Sequence, residues 1–63
     1  MTSVKKLRMG RDLKSCMMAK ELNMPPTTYS DKERGRRRFK PAEIVRICQM
    51  FDVRVEEITD FYA

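Results

Sequence analysis

Five cations fall within seven consecutive positions near the middle of the chain: Arg34, Arg36, Arg37, Arg38 and Lys40. Such a cluster builds a local positive field suited to a polyanion such as nucleic acid, although a short basic run is also what a solvated loop looks like. Just before it stands NMPPTTYSDKERG, with the polar groups of Thr27, Thr28, Ser30 and Asp31 in close succession. A threonine can offer its hydroxyl to a base edge or its methyl to thymine, and an aspartate can accept from cytosine N4. Asp31 reads equally well as a solvated helix residue, or as one held by Arg34 or Lys32.

Other chemistries find little support. The chain has no histidine and two cysteines, Cys16 and Cys48, with no CxxC pair, so the usual zinc patterns are missing. No nucleophile–base pairing, glycine-rich phosphate loop or metal spacing stands out, and no enzymatic site or cofactor is expected. Both cysteines read as reduced, mostly buried thiols. Fourteen Lys and Arg against nine Asp and Glu give a formal charge of +5 and a pI near 9.6. The longest apolar run, Cys16-Met17-Met18-Ala19, is far short of the roughly 20 residues a membrane span needs. The expectation is a soluble, cytoplasmic protein of one domain over residues 1–63, small enough for a single compact core.

The elements that must position these residues are helical. Val4, Leu7, Arg8 and Arg11 follow the helical period, with Thr2 or Ser3 as cap and Asp12 in the turn. Residues 15–22 form a second helix, with Ser15, Met18, Ala19 and Leu22 on one face. Asn23 suits the left-handed turn that ends it, and Met24 returns to the core. Pro26 suits a first helical position, and it biases Pro25 toward the extended conformation of an N-cap. A third helix therefore spans about 26–34 and stops at Gly35. Pro41 opens a fourth, with Ile44, Ile47, Cys48 and Phe51 on its apolar face, and Asp52 turns the chain. A fifth starts near Val55, with Ile58 and either Phe61 or Tyr62 facing inward or toward a partner. The fold class is thus all-α, a compact bundle of five short helices.

The stretch 13–35, LKSCMMAKELNMPPTTYSDKERG, resembles the helix-turn-helix of the phage repressor and Cro family, also called the XRE family. The resemblance runs through Leu13, Met18-Ala19, Leu22, Asn23-Met24 and the closing Glu33-Arg34-Gly35. It continues through Ile44, Ile47, Cys48, Phe51, Val53 and Glu56-Glu57-Ile58, and so covers about 4–58. It implies a lambda-repressor-like DNA-binding domain with 26–34 as recognition helix. It also implies a structural ion pair between Arg8 and Glu33, with an approach of Arg8 to a phosphate as a lesser role. Lys14 stands where the family prefers a capping hydroxyl, which Ser15 can supply by shifting the helix start one residue. Lys32 replaces an aliphatic residue, and can lay its stem along the core and lift its ammonium out. Pro26 displaces a polar residue that often reaches DNA.

Carried onto this chain, the resemblance places Tyr29 inward and Thr27, Ser30, Asp31 and Arg34 outward, with Thr28 between. Thr27, Asp31, Ser30, Thr28 and Pro26 become the candidates for base contacts. Lys14, Ser15, Arg34, Arg36, Arg37, Arg38 and Lys40 become the candidates for phosphate contacts. Ile58, Phe61 and Tyr62 either build a dimer surface or close the core. The implied function is a transcriptional repressor of phage or mobile-element origin, binding an operator in double-stranded DNA as a homodimer in a bacterial cytoplasm or infected host cell. Nothing in the chain looks like an effector domain. Two alternatives stay open: an antirepressor or co-regulator that pairs with another regulator protein, and an excisionase-like architectural factor.

Overall fold

A computed structural model describes residues 2–61. Four α-helices follow one another: α1 (Val4–Gly10), α2 (Ser15–Glu21), α3 (Pro26–Glu33) and α4 (Pro41–Phe51). Two short 3-10 turns, Val55–Glu57 and Thr59–Phe61, complete the described chain.

The helix starts follow local chemistry. Ser3 caps α1, its Oγ accepting from the Lys6 amide at 3.2 Å. Pro25 takes the N-cap of α3 in an extended conformation (φ −62°, ψ 146°), and Pro26 opens the helix, as expected. Lys40 holds the N-cap position of α4 without a side-chain cap bond, and its amide donates to the Glu43 carboxylate at 2.9 Å. At α2 the expectation needs correcting. Lys14 holds the cap position with no side-chain cap bond, and Ser15 is already helical.

The first three helices end alike. Asp12, Asn23 and Gly35 adopt positive φ of 55°, 55° and 86°. Behind each, the next amide donates back to a carbonyl of the last helical turn: Leu13 to Arg8, Met24 to Ala19, and Arg36 to Asp31 at 2.8 Å. These are Schellman closures, which satisfy orphan carbonyls and reverse the chain in few residues. Asp52, in the left-handed region at φ 54°, ends α4.

Among the described residues the fifth α-helix does not form. Ile58 takes an extended conformation (φ −92°, ψ 116°) and makes an isolated parallel bridge to Thr2. The Thr2 amide donates to Glu57 O at 2.7 Å, and the Thr59 amide donates to Thr2 O at 2.8 Å. These bonds occupy the backbone that a continuing helix would use. β-Branched Val55, Ile58 and Thr59 have little helical preference to resist them. Asp60 adds a bond from the Val4 amide to its Oδ1 at 3.0 Å, so the segment closes onto the start of α1.

The core holds Val4, Met18, Ala19, Tyr29, Phe39, Ile44, Ile47, Cys48, Phe51 and Ile58. Leu7, Leu13, Leu22 and Met24 pack against it at its edge. Ile58 is fully buried, so it closes the core and presents no surface to a second protomer. Tyr62 and the side chain of Phe61 lie outside the described residues. Cys48 is buried, but Cys16 is exposed, which corrects the expectation of two buried thiols. Cys16 sits one position before the exposed Met17, on the outer side of α2.

Candidate nucleic-acid interface

The third helix is held by its inner face. Tyr29 is fully buried, and its ring meets Phe39 edge-on at 6.1 Å between centroids. Its hydroxyl donates to Glu33 Oε2 at 2.5 Å. Arg8 grips the same carboxylate from α1, with Nε on Oε2 at 2.9 Å and Nη2 on Oε1 at 3.1 Å. Its remaining nitrogen, Nη1, donates to Leu13 O at 2.8 Å. The expected Arg8–Glu33 pair is therefore present, and it ties α1, the turn before α2 and the end of α3 into one network. Burial pushes the Glu33 carboxyl up, but the hydrogen bonds from Arg8 and Tyr29 outweigh it and leave it below its ordinary value. Burial, reinforced by the Glu33 carboxylate, raises the Tyr29 phenol, so the hydroxyl stays a donor.

A second tie was not legible in the sequence. Lys32 is 7% exposed, and its ammonium, instead of rising into solvent, lies 2.6 Å from Glu43 Oε1. Glu43 thus serves Lys32 and the Lys40 amide at once. The carboxyl is lowered on balance, because Lys32 and the Lys40 amide outweigh the effect of burial. Phe39 is a further anchor. It stands inside the basic segment yet is buried, so residues 35–40 are pinned at a core aromatic.

The outer face of α3 is polar and open. Pro26, Thr27 and Arg34 are exposed, while Thr28, Ser30 and Asp31 are partly exposed. Pro26, Thr27, Ser30, Asp31 and Arg34 line one shallow depression. A neighbouring depression is lined by Lys5, Arg8, Ser15, Ser30, Glu33 and Arg34. The two share Ser30 and Arg34, so they form one continuous surface from α1 across α2 to α3. Thr28 is not in either lining. Lys5 was missed by sequence reasoning, which looked for cations at the head of the second helix and after the third, and in the first helix only at Arg8. Its helical spacing from Arg8, one turn on, was the available signal.

The basic segment follows the Gly35 reversal. Arg36, Arg37, Arg38 and Lys40 are all exposed, and so is Lys14 at the head of α2. Arg37 and Arg38 border another depression with Lys32, Gly35, Phe39 and Asp60. Asp31 is approached by neither Arg34 nor Lys32. Arg36 Nη1 and Arg37 Nε each stand 4.0 Å from one of its carboxylate oxygens. Among the described residues, no group of His, Cys, Asp and Glu could hold a metal ion, and no helix is long and apolar enough to cross a membrane.

Two short helices joined by a tight turn, the second presenting a polar face beside clustered cations, define a helix-turn-helix protein. A family model described as a helix-turn-helix domain matches residues 3–61, and the chain belongs to that family. No curated protein and no solved structure matches the chain at a level that would show kinship.

Proposed function

We propose that the protein is a sequence-specific transcriptional regulator that lays α3 in the major groove of double-stranded DNA. In this reading it represses by occupying an operator as a Cro- or repressor-type dimer. The carrying observation is the arrangement around α3. A polar, partly acidic reading face (Pro26, Thr27, Ser30, Asp31) is flanked by exposed cations from three segments: Lys5 of α1, Lys14 at the head of α2, and residues 34–40. Phosphate contacts from such a frame set register and affinity, while the helix face reads base edges.

Dimensions support a dimer. The described protomer measures 25 × 23 × 17 Å, and successive half-sites lie about 34 Å apart along the duplex. One copy covers one half-site, and a second copy supplies the rest of the specificity. The resemblance to Cro and repressor proteins supports a phage or mobile-element setting in a bacterial cytoplasm. The exposed Pro26 and the Asp31 carboxylate on the reading face also suit an antirepressor that binds another regulator protein.

The test is a salt titration of binding to random duplex and to DNA flanking the protein's own gene. The variant Arg36→Ala, Arg37→Ala, Arg38→Ala runs beside the wild type. The expected result is salt-steep binding that prefers the flanking DNA, with the slope reduced by up to about one unit for each arginine on a phosphate. Absence of binding at low salt, with capture of a second regulator instead, would replace this reading with the antirepressor one.

A further inference from the structure

Asp31 is the one acidic side chain in the depression along the outer face of α3. The Schellman closure at Gly35 folds the chain so that the Arg36 and Arg37 amides both donate to Asp31 O, at 2.8 and 3.3 Å. The same reversal brings their guanidinium groups back over the Asp31 carboxylate, each 4.0 Å from a different oxygen. Both arginine side chains are more than 60% exposed and the carboxylate is 34% exposed, so water screens these contacts and they exchange readily. The backbone bonds hold the geometry whether or not the side chains are paired.

We propose that Asp31 is a charge filter for DNA, pairing with Arg36 and Arg37 in the free protein and releasing them to phosphates at low cost only where a cytosine amino group takes its carboxylate. This rests on the DNA-binding reading above.

The argument is one of partners. Phosphate offers a guanidinium two parallel hydrogen bonds, which exposed contacts at 4.0 Å do not match. Once both arginines leave, the carboxylate faces a groove of base edges with neither of its ion contacts, and Arg34, the remaining cation of the depression, is not paired with it. Guanine N7 and O6 and thymine O4 are acceptors and repel it, and adenine sets its N6 donor beside the N7 acceptor. Cytosine presents a donor alone. At most sequences the arginines therefore stay divided between Asp31 and the backbone, and affinity is held down. At a cytosine all three charges are satisfied together. Discrimination here comes from an unpaired charge at the wrong base rather than from extra attraction at the right one.

The experiment is selection from a random duplex library with wild type and Asp31→Asn, followed by titration of each on unselected duplex. Glu56→Gln, in the turn after α4, controls for removal of one negative charge. The structural bonds at residue 31 use the backbone carbonyl, so Asp31→Asn keeps the helical circular dichroism spectrum. The wild-type pool is expected to carry a cytosine preference that Asp31→Asn loses or turns toward adenine, which an amide pairs with on both N6 and N7. Asp31→Asn should also bind unselected duplex roughly fivefold more tightly than Glu56→Gln does, as fits relief of one nearby like charge. The same preferred sequence from both proteins, or equal gains from the two substitutions, would overturn the filter and leave the regulator reading intact. A wild-type pool with no preferred sequence would remove the regulator reading and the filter together.

Discussion

Replacing Arg8 with alanine should remove a large share of the protein's stability. Arg8 and Glu33 side chains are 16% and 9% exposed, so both charges are largely out of water. Removing one partner from such a pair costs about 3–5 kcal/mol, because the other charge stays buried without compensation. Residual exposure and the remaining bond from Tyr29 place this pair at the lower end, about 3 kcal/mol. Against a total of roughly 3–9 kcal/mol for a chain of this length, Arg8→Ala removes from about a third to all of the stability. Urea titration followed by circular dichroism at 222 nm measures the loss as a shift in midpoint at constant slope. A double-mutant cycle with Glu33→Gln, which keeps an acceptor for Tyr29, should recover at least about 1 kcal/mol of coupling. The pH dependence carries a sign. The folded Glu33 carboxyl titrates below its ordinary value of 4.5, so its contribution is fully present above that value and is lost as pH falls through the lower folded value. A loss under about 1 kcal/mol for Arg8→Ala, or no coupling to Glu33, would refute the claim that this pair fastens the third helix.

Other perturbations separate backbone from side-chain effects. Gly35→Ala should cost about 1 kcal/mol in a thermal melt, since φ is +86° while an added Cβ would meet nothing within 4 Å. Gly10→Ala, equally open, should instead stabilise by roughly 0.5 kcal/mol, because it ends a helix without a positive φ. Lys32→Leu, which keeps an apolar stem but leaves the Glu43 carboxylate without its ammonium, should lose about 2 kcal/mol, and Lys32→Ala, which loses the buried stem as well, roughly 3 kcal/mol. In the native protein Cys16 should react with a disulfide reagent at once. Cys48, whose thiol is pushed up by burial and nearby Glu56 and Glu57, should react only at the rate of opening.

What could be read in the sequence was mostly local. Pro25-Pro26 marks a helix start by fixed dihedrals, and Asn23 and Gly35 mark helix ends by tolerance of positive φ. Those signals need no knowledge of the rest of the chain. The Arg8–Glu33 pair spans 25 positions and was reached through the family resemblance, not through any local rule. What stayed hidden depended on distant partners. The extended Ile58 is set by bonds to Thr2, more than fifty residues away. Lys32 looked like a solvent-seeking lysine because Glu43 lies in another helix. Phe39 was lost among the charges on either side of it, although an aromatic in a basic run is itself a sign of anchoring. Ile58 carries a similar lesson, since an apolar residue near a chain end fits a core and an interface equally well. Burial alone separates the two.

The bridge between Thr2 and Ile58 also has a mechanical meaning. The paired segments run parallel, so the chain leaves the bridge in opposite directions on its two sides. A force pulling residues 2 and 59 apart therefore runs along the bridged segments, and the bonds from Thr2 to Glu57 and from Thr59 to Thr2 are sheared together. An antiparallel clasp at the same place would peel one bond at a time. Under tension this protein should resist first at its ends and then yield abruptly, freeing α1 as the clasp gives way. A stretching experiment with handles at those two positions would read the difference as a single early rupture instead of a gradual extension.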